Sequence, residues 1–355
     1  MRARLLVVAG LLVAVATLAA GCGGGDDEDA VAPPTTTAAT TTDGGTGKAI
    51  KVGLVTDIGG LDDRSFNFLA NEGLERAEEQ LGVDGRVLIS RQEADYVPNL
   101  STLARQDYDL VIGVGFLMAD AVETVAKRFP DTRFAIIDFS QADMKSKPKN
   151  VRGLLFKEQE AGYLAGYLAG LMTSQEAGSK QVISSVGGQK IPPVDRYIAG
   201  YRAGARKADP KLRILNAYSQ DFVDQAKCKE AALNQIAQGS RVVFQVAGNC
   251  GLGALSAAKE KNVWGIGVDA DQSYLGPHIL TSATKKVDNA VFQTIQDDQE
   301  GSFSGGEDVV FDVASGGVGI GKISSEVPAD IVSKVQSVQD DLAAGKIENI
   351  PTTVS

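Results

Sequence analysis

Short apolar runs alternate with helix-forming segments along most of this chain. Residues 52–55 read as a buried strand, broken by Thr56-Asp57, two glycines, two further acids and Ser65-Phe66-Asn67 before a helix over 68–81. A strand follows at 86–90, then a helix at 99–106 introduced by Tyr96-Val97-Pro98, a strand at 109–115, a helix at 119–129 stopped by Pro130, and a strand at 134–137 that ends in Asp138. The alternation then repeats. A helix at 157–173 carries Gly162, Gly166 and Gly170 on one face, and strands at 182–186, 213–218, 242–246 and 263–268 alternate with helices at 198–208, 224–238 and 253–261. Val/Ile/Leu runs separated by helices predict an α/β chain of two successive halves, each a doubly wound parallel sheet.

In open parallel sheets ligands bind beyond the carboxyl ends of the strands. The residues predicted there are Asp57, Gly115, Asp138, Gly248 and Asp269. Three of the five are acids, which need donors when buried and would suit a ligand rich in hydroxyl and N–H groups. The same acids could instead cap the helices that follow. Phe66 and Asn67 stand in the first of these loops, which also fits a plain strand-to-helix turn with Ser65 as N-cap and Phe66 in the core.

The start of the chain has another character. Arg2 and Arg4 precede an apolar run over 5–20, the build of an export signal and too short for an ordinary membrane span. It stops at Leu18-Ala19-Ala20-Gly21-Cys22, which resembles a bacterial lipobox with Ala19 where Leu is commonest. The reading is a signal peptide over 1–21, lipidation at Cys22 and a disordered tether over 22–48, spanning roughly 25–30 Å. Without Arg2 and Arg4 the chain has 33 basic against 45 acidic residues, a net charge of −12. No basic stripe is present, so nucleic acid is not an expected partner.

Cys228 and Cys250 are the other cysteines; in an oxidising compartment they could pair, closing a 22-residue loop worth about 3 kcal/mol, or remain separate buried thiols. His278 is the only histidine, and no cysteine pair has ligand spacing, so neither a metal nor another cofactor is expected. No full G-x-G-x-x-G follows a strand, and no G-x-S-x-G elbow exists. Residues 316–322 (GGVGIGK) match the glycines and lysine of a phosphate loop, but Ile323 replaces the Ser or Thr that would ligate magnesium; a Gly-rich hairpin is expected there. The adjacent acids Asp62 and Asp63 fit capping or solvent better than acid/base work.

A family resemblance rests on VTDIGGLDDRSFN (55–67), the AxYVPxL stretch (94–100), FAIID (134–138), RYIAGYRAGARKADP (196–210), VVFQVAGNCGLG (242–253), IGVDADQ (266–272) and LTSATKK (280–286). In order and over nearly all of 50–350, these resemble the basic membrane protein family, the substrate-binding lipoproteins of ABC transporters of purine-nucleoside-binding type. The resemblance implies a bilobed protein, type I periplasmic-binding-protein-like, closing on a nucleoside. It implies Phe66 and Phe222 as the aromatic pair around the base, and Asp57, Asn67 and Asp138 as partners of base edges or nearby polar groups. Asp269 and Lys285 would hold ribose hydroxyls. Taken alone, Phe222 reads rather as a core aromatic and Lys285 as a surface helix charge.

The expected lobes are 49–153 with about 281–305, and 154–280 with about 306–355, with hinges near Arg152-Gly153 and Leu280-Thr281. The function implied is a monomeric binding protein, lipid-anchored on the extracytoplasmic face of the cell membrane, that delivers its ligand to ABC permease subunits. A nucleoside-cleaving enzyme on the same scaffold would need an activated nucleophile or metal cluster that the sequence does not display. A ligand sensor without a transporter is the remaining alternative.

Overall fold

A computed structural model describes residues 49–175 and 181–354. The expected signal segment, Cys22 and the tether lie outside the described residues.

The first half runs β1 (Lys51–Val55), α1 (Phe66–Leu81), β2 (Asp84–Leu88), α2 (Tyr96–Arg105), β3 (Leu110–Gly113), α3 (Ala119–Arg128), β4 (Arg133–Ile137) and β5 (Val151–Phe156). The second runs α4 (Glu158–Gln175), β6 (Val182–Gly187), α5 (Pro192–Ala208), β7 (Arg213–Tyr218), α6 (Gln225–Ala237), β8 (Ser240–Val246), α7 (Gly248–Glu260), β9 (Trp264–Asp269) and β10 (Ile279–Lys285). The chain then adds α8 (Val287–Glu300), β11 (Glu307–Phe311), β12 (Val318–Ile320) and α9 (Ala329–Ala343). Local chemistry sets several limits. Prolines occupy the first turn of α5, where a missing N–H costs nothing, and Gly82 ends α1 at φ 68°.

Two six-stranded sheets result. One has the order β11-β5-β4-β3-β1-β2 and is parallel throughout; the other has the order β12-β10-β9-β8-β6-β7, with only β12 antiparallel. The chain is therefore two parallel-sheet α/β lobes, as the alternation predicts. The central strand β3 is buried at every position, which is why it reads as a continuous apolar run.

The lobe boundaries differ from those expected. The chain crosses from one sheet to the other at Lys157, at Lys286 and over 312–317. Arg152 and Gly153 lie inside β5, paired with β4, and Leu280 and Thr281 lie inside β10, Thr281 paired with β9 and Leu280 at a bulge. Residues 281–285 thus belong with the second sheet, and β11 belongs with the first. The crossings are tied to one another: the Lys157 N–H donates to the Phe311 carbonyl at 2.9 Å, its ammonium to Asp312 at 2.9 Å, and the Lys286 N–H to the Gly317 carbonyl at 2.8 Å. The Gly-rich segment is also different from expectation. Instead of folding on itself as a hairpin it supplies β12, which pairs with β10, and the next helix begins only at Ala329.

Helices α4 and α5 pack backbone to backbone. A methyl group at Gly162 or Gly166 would overlap the carbonyls of Tyr197 or Tyr201, and one at Gly200 or Gly204 those of Gln159 or Tyr163. The glycine face read in the sequence is thus one side of a reciprocal close approach.

Candidate functional site

Asp57, Gly115, Asp138, Gly248 and Asp269 follow or end β1, β3, β4, β8 and β9, and all five line one cleft between the lobes, with an empty volume of about 630 Å³ including its open mouth. Phe66, Asn67, Phe222 and Lys285 line it too, so every ligand-contact residue expected from the sequence faces this space. Tyr197, Val194 and Phe116 are added by the structure. Asp138 and Asp269 have left-handed backbones, φ 71° and 60°, which a non-glycine residue adopts only where its surroundings enforce it.

The loop after β1 is a hydrogen-bonded cage. The Asp57 carboxylate accepts from the Gly59 N–H and from the Asn67 amide, both at 2.8 Å. Burial pushes the Asp57 carboxyl up to about 6 despite these bonds. Both amide hydrogens of Asn67 are used within the protein. Its Nδ2 donates to Asp57 and, at 3.0 Å, to Asp63, while its Oδ1 accepts from the Asp57 N–H at 3.0 Å. Asn67 thus orients Asp57, its two amide hydrogens being committed to Asp57 and Asp63. Asp63 behaves as a cap, accepting the N–H groups of Ser65, Asn67 and Phe68. Gly115 has φ 114°, and a Cβ there would stand 3.2 Å from Asp57 and 3.3 Å from the Phe66 ring. A side chain at that position would press on both groups.

Phe222 belongs to the cleft wall and only partly to the core. Gly188 makes room for its ring, where any Cβ would collide with it. Its carbonyl accepts from the Cys250 N–H at 3.0 Å in the first turn of α7. Cys250 forms a disulfide with Cys228 of α6, across a Cα separation of 5.5 Å. The covalent link therefore braces the platform that carries Phe222.

Lys285 is no surface charge: it ends β10 and is 1% exposed. Its ammonium donates to Asp138 at 2.5 Å and to Glu158 at 3.0 Å, and lies 5.0 Å from the Phe66 ring centroid. Burial alone would push its pKa down, but Asp138, Glu158 and Asp269 outweigh burial and raise it. Glu158 begins α4 directly after the first crossing, and burial raises its carboxyl. Asp269 is pushed up to about 6 by burial, with Lys285 acting against the shift; its oxygens accept from the Tyr197 and Ser65 hydroxyls, both at 3.1 Å. Glu158, Tyr197 and Ser65 escape sequence reasoning because their partners stand 72 to 204 residues away.

The cleft thus offers four aromatic rings and four carboxylates against one ammonium. Such a surface accepts hydrogen bonds from hydroxyl and N–H donors and disfavours anions. Among the described residues, no group of three His, Cys, Asp or Glu is placed to hold a metal ion, and no helix is long and apolar enough to cross a membrane.

A crystal structure of an ABC transporter solute-binding protein from Aeropyrum pernix K1 superposes with a TM-score of 0.77 and 28% identity, covering 85% of this chain and 94% of that one. The ABC transporter nucleoside-binding protein BmpA of Lactococcus lactis is 33% identical over 84% of this chain and 88% of its own length. An uncharacterized lipoprotein of Pyrococcus horikoshii is 35% identical over 73% of this chain and 66% of its own length. The family model described as ABC transporter substrate-binding protein, PnrA-like, matches residues 50–350. The chain belongs to that family, the Bmp substrate-binding proteins of ABC transporters.

Proposed function

We propose that this protein binds a purine nucleoside between its lobes and delivers it to the permease subunits of an ABC importer. The observation that carries the reading is the shared cleft: Phe66 from one lobe and Phe222 from the other, with Asp57 in the first lobe and Asp269 in the second. Base stacking on an aromatic ring is worth about 1–3 kcal/mol. Asp57, held by Asn67, accepts from the N–H edge of the base. Asp269 accepts from ribose hydroxyls, and Lys285, with two of its three N–H groups on carboxylates, keeps one for a sugar oxygen. The nucleoside named for the Lactococcus relative agrees with this chemistry. The protein binds and releases without covalent chemistry and acts as a monomer, anchored by lipid at Cys22 on the extracytoplasmic face. The lipoprotein name of the Pyrococcus relative supports that anchoring.

Calorimetric titration of inosine and hypoxanthine tests the reading. Phe222→Ala should weaken both by about 1–3 kcal/mol. Asp269→Ala should weaken inosine by about 1.5–3 kcal/mol and leave hypoxanthine nearly unchanged. Wild-type protein that binds no nucleoside would refute the substrate class. Cys22→Ala should release the protein from membranes, and unchanged membrane fractionation would refute the anchor.

A further inference from the structure

We infer that Ser65 is a positioning residue that couples closure of the lobes to completion of the Asp269 site. The inference rests on the nucleoside reading above. Ser65 stands at the N-cap position of α1, where a serine hydroxyl ordinarily accepts from the first helical turn. Here it makes no such bond. Asp63 does that work, accepting from the Asn67 N–H at 2.8 Å and the Phe68 N–H at 3.1 Å, and it also holds the Ser65 N–H at 3.0 Å. The serine hydroxyl is thereby released from its own helix. It turns to the other lobe and shares its hydrogen between the Val268 carbonyl at 3.0 Å and the Asp269 carboxylate at 3.1 Å.

The two donors to Asp269 differ in kind. Tyr197 lies on α5, in the same lobe as Asp269, and travels with it whatever the lobes do. Ser65 belongs to the other lobe and reaches Asp269 only when the lobes are together. Opening therefore leaves the carboxylate with one protein donor, and closure adds the second and fixes its rotation. Ser65 is fully buried, so no water replaces the bond while the lobes are closed. Other contacts cross between the lobes as well: Lys285 with Asp138, a bond that does not touch Asp269, and Arg64 with the Tyr274 hydroxyl at the rim, where Tyr274 is 53% exposed and water competes for it. Ser65 also adjoins Phe66 and Asn67, so one short segment supplies a cleft aromatic, the residue that orients Asp57, and the link to Asp269.

Stopped-flow kinetics with inosine test the inference on full-length protein. Ser65→Ala should raise the dissociation rate constant about tenfold and leave the association rate constant within about twofold of wild type, because only the closed state loses a contact. The unfolding midpoint of the ligand-free variant, measured in parallel, separates this from general destabilisation. A dissociation rate constant that stays at the wild-type value, or a loss carried by slower association, overturns the coupling while leaving the nucleoside reading intact. Wild-type protein that fails to bind inosine overturns the nucleoside reading, and the coupling falls with it.

Discussion

Replacing Lys285 by methionine keeps the volume and removes the charge, and its consequence can be worked from the geometry. The ammonium lies 2.5 Å from Asp138 and 3.0 Å from Glu158, and all three side chains are buried. At an effective dielectric of 20, each pair near 3 Å attracts by about 5 kcal/mol, most of it offset by the cost of taking the charges out of water. Removing only the cation leaves Asp138 without its ion partner and Glu158 with Arg196 alone, 3.5 Å from its other oxygen. Breaking a buried pair in this way costs about 3–5 kcal/mol. With a urea slope of about 3 kcal/mol per molar, the unfolding midpoint at pH 8.5 should fall by about 1–1.7 M. The pH dependence supplies the sign. Burial already raises the Glu158 carboxyl and Lys285 opposes that rise, so the variant's folded state holds a proton to higher pH than the wild type. Lowering the pH adds a proton to this carboxylate pair, and the deficit should shrink by about 1.4 kcal/mol for each pH unit over which the extra proton is retained. Urea titrations at pH 8.5 and 6.5 make the comparison. A deficit below about 1 kcal/mol at pH 8.5, or one that grows toward pH 6.5, would refute the reasoning.

Three further outcomes follow from the same structure. The Asp57 and Asp269 carboxyls are raised from 3.8 to about 6, so the folded protein keeps protons that the unfolded chain has lost, and their contribution to stability declines as pH rises from about 4 to 6. Ligand binding runs the other way: donors on the ligand need carboxylates, so inosine affinity should be full above about pH 6 and fall about tenfold or more per unit below it, and calorimetry showing constant affinity from pH 5 to 8 would exclude this. Reducing the Cys228–Cys250 bond should lower stability by about 2–4 kcal/mol and weaken stacking ligands by loosening the Phe222 platform; equal inosine affinity with and without reductant would show that the bond supports only the fold.

Much of this site was legible because topology constrains it. Once β1, β4 and β9 are read as strands, Asp57, Asp138 and Asp269 must emerge at the cleft edge, whatever the helices do. The fate of Asn67 was not legible, because its amide hydrogens are consumed by Asp57 and Asp63 in a local cage that no periodicity announces. Ser65 reads as an N-cap and holds that position, yet its hydroxyl bonds a residue 204 positions away. The lobe boundaries were misread for a related reason. Residues such as Leu280, Thr281 and Gly153 carry no turn chemistry to mark a crossing, and the strands simply continue until Lys157 and Lys286. Gly-rich residues 316–322 carry strong turn signals, but β10 recruits their centre as an edge strand, a tertiary choice that overrides the local one.

The glycine contact between α4 and α5 has a mechanical consequence. Side-chain interfaces yield because rotamers adjust; peptide groups pressed together have no such slack. The two helices therefore form one stiff strut. Its near end carries Glu158, one residue past the first crossing, and Tyr197 projects from it to Asp269. A rotation at Lys157 is transmitted to the cleft without being absorbed on the way, as a lever carries motion from its fulcrum. The same stiffness restricts how the sequence can drift: a single added methyl at Gly162, Gly166, Gly200 or Gly204 would pry the strut apart and throw Tyr197 off its target, although none of the four glycines lines the cleft.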